Sequence, residues 1–176
     1  VLDTIENTSE ALPMRFPPLI NYKDFGTVGA FGAEYSFCYD GNRFIYSFDA
    51  DEDLYLTTSA HEKVEKKKAK SKYIDHVTVF RSTEGNFQKM VRAQCEHASY
   101  GKILYDKYRD VYYRFVYPPC DTSDYFGDYV ELLRSGRKRF SIMILDNKLN
   151  VVGETFFPAY TYNPVSYTHL RAHETV

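Results

Sequence analysis

The sequence predicts an all-β protein assembled from antiparallel four-stranded meanders. Three observations carry that prediction. The 176 residues include 17 Tyr and 13 Phe and no Trp, and Tyr and Phe favour strands. Short runs of strand-forming residues follow one another across brief polar turns. A pattern of five residues also recurs without gaps in two parts of the chain.

Residues 1–32 contain Pro13, Pro17 and Pro18 and no sustained periodicity. They read as irregular, with a short extended piece at Leu19–Tyr22. A first unit spans 33–80. Its strands are Glu34–Asp40, Arg43–Phe48 across the turn Asp40-Gly41-Asn42, Leu54–Thr58 after the polar turn 49–52, and a long Lys-rich strand Lys63–Ile74. Residues 81–99 form a connection, where Phe87, Met90, Val91 and Cys95 recur at helical spacing. That spacing predicts a short helix within Glu84–His97. A second unit spans 100–163. Gly101–Tyr105 and Asp110–Tyr117 flank a turn at Asp106–Arg109, and Pro118-Pro119 stops the second strand. An insertion, 118–138, carries a helical turn at Tyr125–Leu133. Arg139–Leu145 and Asn150–Phe156 then form a hairpin around 146–149. Arg43–Phe48 is expected to pair antiparallel with both its neighbours, and Arg139–Leu145 with Asn150–Phe156.

The repeat aligns Tyr39, Asp40, Arg43, Ile45 and Tyr46 on Tyr105, Asp106, Arg109, Val111 and Tyr112. It marks a strand end, a turn and a second strand at the same place in both units. Four-stranded meanders in tandem are the sequence signature of a β-propeller.

Composition bounds the function. Residues AVILMFWYC make up 44% and charged residues 26%, a globular balance. With 22 Lys and Arg against 24 Asp and Glu, the net charge is −2, which speaks against a dedicated nucleic-acid binder. No apolar run approaches the length of a membrane helix. Cys38, Cys95 and Cys120 are an odd number with no C-x-x-C and no zinc-ligand spacing. Their redox state is open, and Cys38, in a strand, reads as a small buried hydrophobe.

The stretches Arg43–Phe48, Asp110–Phe115, Phe140–Asp146 and Val152-Gly153-Glu154 resemble one group of proteins. They are similar to the six-bladed, TolB-like β-propeller lipoproteins of gut Bacteroidetes, a family of unknown function. The resemblance covers about residues 13–163. It implies a full ring of blades, of which this chain would hold about two, and a lipid anchor on a cysteine near the true N-terminus. It also implies an extracytoplasmic place, in the periplasm or on the outer membrane. The family carries no established active-site residues.

The ends read as those of a fragment. Val1 is followed by no signal peptide. The segment from Val165 to Thr175 resembles the conceptual translation of a transposase sequencing adapter, so 164–176 is expected to be a non-native tail that packs poorly. His169 and His173 then carry no function.

Several clusters invite a site, and each has a plainer account. Asp49, Asp51 and Asp53 alternate as calcium ligands do. An EF-hand loop would need Gly at the sixth position and Glu at the twelfth, where Leu54 and Ala60 stand; a solvated hairpin turn fits better. Lys63, Lys66, Lys67, Lys68, Lys70 and Lys72 suggest phosphate binding, but Lys on an exposed outer strand blocks pairing with another chain. His61, His76 and His97 lie in different loops without ligand spacing. Asp128 and Glu131 suggest a hydrolase pair, yet two acids on a polar helix face are usually just solvated. Tyr105, Tyr108, Tyr112, Tyr113 and Tyr117 pack between blades or line a sugar- or peptide-binding surface. No pattern marks a catalytic residue, and neither a cofactor nor a metal is expected.

The leading reading is therefore a binding or scaffolding module without chemistry of its own. Its partner, a protein, peptide or glycan, would sit at the funnel where loops converge. A glycan hydrolase or lyase with catalytic residues partly in other blades is the alternative, and a purely structural surface protein the third. The outer faces of the two units are expected to expose Ile, Val, Phe and Tyr. Residues 1–163 alone are then expected to be unstable or to aggregate.

Overall fold

The computed structural model of the chain describes residues 2–3, 8–9, 11–15, 34–77, 95–120, 139–159 and 161–162. The protein is all-β, with two four-stranded antiparallel sheets. The first comprises β3 (Tyr35–Tyr39), β4 (Arg43–Phe48), β5 (Asp53–Thr58) and β6 (Val64–Lys68), side by side in chain order. The second comprises β7 (Ser99–Asp106), β8 (Val111–Tyr117), β9 (Phe140–Leu145) and β10 (Val151–Phe157), also in chain order. Every pair of sequence neighbours within a sheet is antiparallel, including the pairs expected from the sequence. In the segment expected to be irregular, β1 (Leu2–Asp3) and β2 (Thr8–Ser9) form a minimal ladder. Strands of two residues are too short for alternation to register.

The recurring Asp explains the turns. Asp40 Oδ1 accepts the amides of Asn42 and Arg43, and Oδ2 accepts Arg43 Nε, all at 2.9 Å. Asp106 repeats the arrangement with the amides of Tyr108 and Arg109 at 3.0 and 3.2 Å and with Arg109 Nη1 at 2.8 Å. Asp146 does the same between β9 and β10, through the amides of Lys148 and Asn150 and the Asn150 side chain. A carboxylate that satisfies the turn's own amides is a local signal for chain reversal. Gly41 completes the first turn at φ +97°, where a side chain would be strained.

The sheets pack face to face across alternating positions. Ile45, Leu54 and Leu56 of the first sheet share one buried cluster with Ile103, Tyr112, Val116, Met143 and Leu145 of the second. Ala69, Ile74, Ala98 and Leu149 belong to the same cluster. Strand β7 also lies against β3 and β4.

Strand β6 ends at Lys68, short of the expected Ile74. The reason is where the next backbone groups go. The Ala69 carbonyl accepts Arg114, and the Ser71 and Lys72 amides donate to Tyr100 and Glu154. The second sheet, not β5, completes this segment. Of the expected helix, Cys95 and Glu96 are helical, and the rest lies outside the described residues. So do Leu19–Tyr22, most of the 118–138 insertion with Asp128 and Glu131, and the tail.

Candidate functional site

The acidic turn between β4 and β5 holds a cation, but one from within the chain. Arg114, on β8, is fully buried. Its Nη1 donates to the carbonyls of Glu52 and Ala69 at 2.7 and 3.1 Å. Its Nη2 donates to those of Asp51 and Phe48 at 2.7 and 3.5 Å. Its Nε donates to Ser47 Oγ at 2.9 Å, and the guanidinium lies 3.8 Å from the centre of the Tyr100 ring. Burial pulls its pKa down to about 10, so it stays charged at neutral pH. The Asp51 carboxylate is occupied as well, by the Asp53 amide and the Tyr55 hydroxyl. The turn's backbone carbonyls and the Asp51 carboxylate are thus engaged from within the chain. Among the described residues no group of three His, Cys, Asp or Glu side chains is placed to hold a metal.

The lysines lie on the outer strand and its continuation, and most have partners. Lys68 and Lys70 approach Glu52 at 3.0 and 3.8 Å. Lys67 Nζ donates to Asn150 Oδ1, Lys66 covers the Tyr55 ring, and Lys72 Nζ donates to the Glu154 carbonyl. Glu154 is a second fastening: Oε1 accepts the Ser71 and Ser141 hydroxyls, both at 2.6 Å, and Oε2 the Lys72 amide at 3.0 Å. Arg114 and Glu154 belong to two stretches singled out above, and both join one sheet to the other.

The tyrosines divide by face. Tyr112 is buried and donates to Asp40 Oδ2 at 2.5 Å. Burial opposes the charge on Asp40, but Tyr112 and Arg43 outweigh it and hold the carboxyl below its ordinary range. Arg43 Nη2 reaches on to the Asn147 carbonyl at 2.6 Å, so the turn of one sheet touches that of the other. Tyr105 donates to Asp110, while Tyr108 is exposed. His61 stacks on Phe44 at 5.1 Å. Tyr35, Phe37 and Tyr39, each about half exposed, extend that aromatic face beside Phe44 and Tyr46.

At the opposite end of the sheets, two ionisable residues, Asp49 and Tyr117, gather around Glu34. Asp49 follows the last residue of β4, and Glu34 precedes the first of β3. Because Tyr35 faces Phe48 across the ladder, the two acids flank that pair. The Asp49 amide donates to the Glu34 carbonyl at 3.1 Å. Among the described residues, Asp49 Oδ1 is a buried oxygen with no hydrogen-bond partner. Burial, and then the charge of Glu34, push its pKa up to about 7. Burial and Glu34 likewise push the Tyr117 phenol up to about 12. The Tyr117 ring lies over Gly101, where an added Cβ would meet its Cε2 at 2.7 Å. The Tyr100 amide donates to the Asp49 carbonyl at 2.8 Å, which fixes β7 beside this corner. A carboxyl poised near neutrality can take or give a proton and can accept a hydrogen bond from a ligand.

Sequence reasoning placed Asp49 in a solvated turn and did not single out Glu34. The ladder register would have found the pair, since a like charge facing a carboxyl across strands disfavours its ionised form.

The family profile described as "Domain of unknown function (DUF4221)" matches residues 2–156. No curated protein matches the chain. The chain is similar to a crystal structure of a DUF4221 member from Bacteroides vulgatus, with 26% identity and a TM-score of 0.67. The match covers 90% of this chain and 42% of that one, so the chain spans less than half the length of its relative.

Proposed function

This chain belongs to the DUF4221 family, whose function is unknown, and we propose that it forms about two blades of a six-bladed, TolB-like propeller acting as an extracytoplasmic lipoprotein that binds or scaffolds a partner. Two meanders with β7 set against β3 and β4 support the ring, as does a relative more than twice as long. The single observation that carries the binding role is the use of Arg114 and Glu154. Both are committed to joining the sheets and not to chemistry of their own. The partner, a protein, peptide or glycan, sits at the end of the sheets that carries Glu34, Asp49 and Tyr117.

A second reading, a glycan hydrolase or lyase, is favoured by the unpartnered Asp49 oxygen and its pKa near 7. Binding and turnover separate the two. The full-length protein is to be screened against glycan and peptide arrays and incubated with the glycans it binds. The binding reading expects retained ligand, unchanged glycan, and at least about tenfold weaker binding in Tyr117→Ala. New reducing or unsaturated ends that vanish in Asp49→Asn would establish the enzyme instead.

A further inference from the structure

Cys95 and Cys120 stand 25 positions apart and are brought together where the chain enters β7 and leaves β8. Both are buried, at 0% and 4% exposure. The Cys120 amide donates to the Cys95 carbonyl at 3.3 Å, and Cys120 Sγ lies 2.6 Å from the same oxygen. That hydrogen bond and the covalent bonds on either side limit the Cα separation to about 7 Å, the upper end of the range that a disulfide spans. Neither cysteine is in a disulfide in this structure. Cys38 lies elsewhere, on β3, packed against the core cluster.

We infer that Cys95 and Cys120 are a disulfide-forming pair and that Cys38 remains a thiol. That the bridge forms in the cell rests on the extracytoplasmic reading above, because such compartments are oxidising; the pairing itself rests on the geometry alone. The step is a thiol–disulfide exchange. One cysteine thiolate attacks a sulfur of an oxidised-glutathione-type disulfide and expels one small thiol. The second cysteine attacks the mixed disulfide and expels the other. The two cysteines lose two protons and two electrons, and the small disulfide is reduced to two thiols. The new S–S bond closes a loop around the β7–β8 hairpin.

The purified 176-residue chain, treated with oxidised glutathione and then denatured, is the test. Titratable thiols should fall from the three free cysteines to one, and the non-reduced peptide map should link Cys95 to Cys120. Cys38→Ser should keep that link, while Cys95→Ser and Cys120→Ser should each abolish it. The oxidised chain should show a folded-to-unfolded ratio higher by on the order of a hundredfold in urea. Three remaining thiols, or a bridge that includes Cys38, would overturn the pairing. Fractionation of cells making the full-length protein tests the compartment separately.

Discussion

Arg114 illustrates how one side chain can serve several elements at once. Arginine is almost never fully buried unless its donors are met, and here five acceptors meet them. Replacing Arg114 with Leu leaves those carbonyls dry and unpaired, so urea unfolding should show a loss of about 3–5 kcal/mol. Arg114→Lys should recover less than half of it, because an ammonium cannot reproduce the planar fork. A loss under about 1 kcal/mol for the Leu variant, the size of an ordinary surface change, would refute this account. Asp49 acts through pH. Its folded-state pKa, about 7, lies above its ordinary 3.8, so the folded protein holds the proton more tightly than the unfolded chain. The associated stability is full below about pH 4 and is lost as pH rises to about 7. Asp49→Asn should flatten the decline in stability between those values, measured by urea titration across pH. An unchanged slope would show that the carboxyl is not desolvated. The sequence exposed neither role. The Asp110–Phe115 stretch was visible as a strand, but the partners of Arg114 are backbone carbonyls some sixty positions earlier, and a carbonyl has no letter of its own.

Among the elements, the strands were the most legible. Arg43–Phe48 was read to the residue, and the turns were found because each begins with an Asp that accepts its own loop's amides. Such signals are local, and local signals survive in a sequence. The fourth strand was overread because its Lys pattern continues past Lys68, while the backbone after it turns to Tyr100, Arg114 and Glu154 of the other sheet. Glu154 is therefore an element-level clamp between β10 and the segment after β6. Glu154→Ala should speed hydrogen exchange at the Lys72 amide by at least about tenfold, while amides in the β4–β5 ladder keep their protection. Equal acceleration everywhere would mean that the clamp is part of the global core instead.

At the scale of the whole molecule, the sheets were legible in the residues but their partners were not. Half-exposed Tyr35, Phe37 and Tyr39 match the expectation of an aromatic outer face, and in the proposed ring another blade would cover it. The chain by itself should then self-associate through that face. Sedimentation of the 176-residue chain should show mass rising with concentration, and Phe37→Ser with Tyr39→Ser should reduce it. A monomer at all concentrations would show that the face is not adhesive. The placement of Arg114 has one more effect, on the order of events during synthesis. The turn between β4 and β5 leaves the ribosome long before β8 does, and its carbonyls must stay hydrated until the guanidinium arrives. The first sheet is thus finished by a residue of the second. Its maturation waits on the translation of β8, and a ribosome stalled before codon 114 would carry a first sheet still waiting for its keystone.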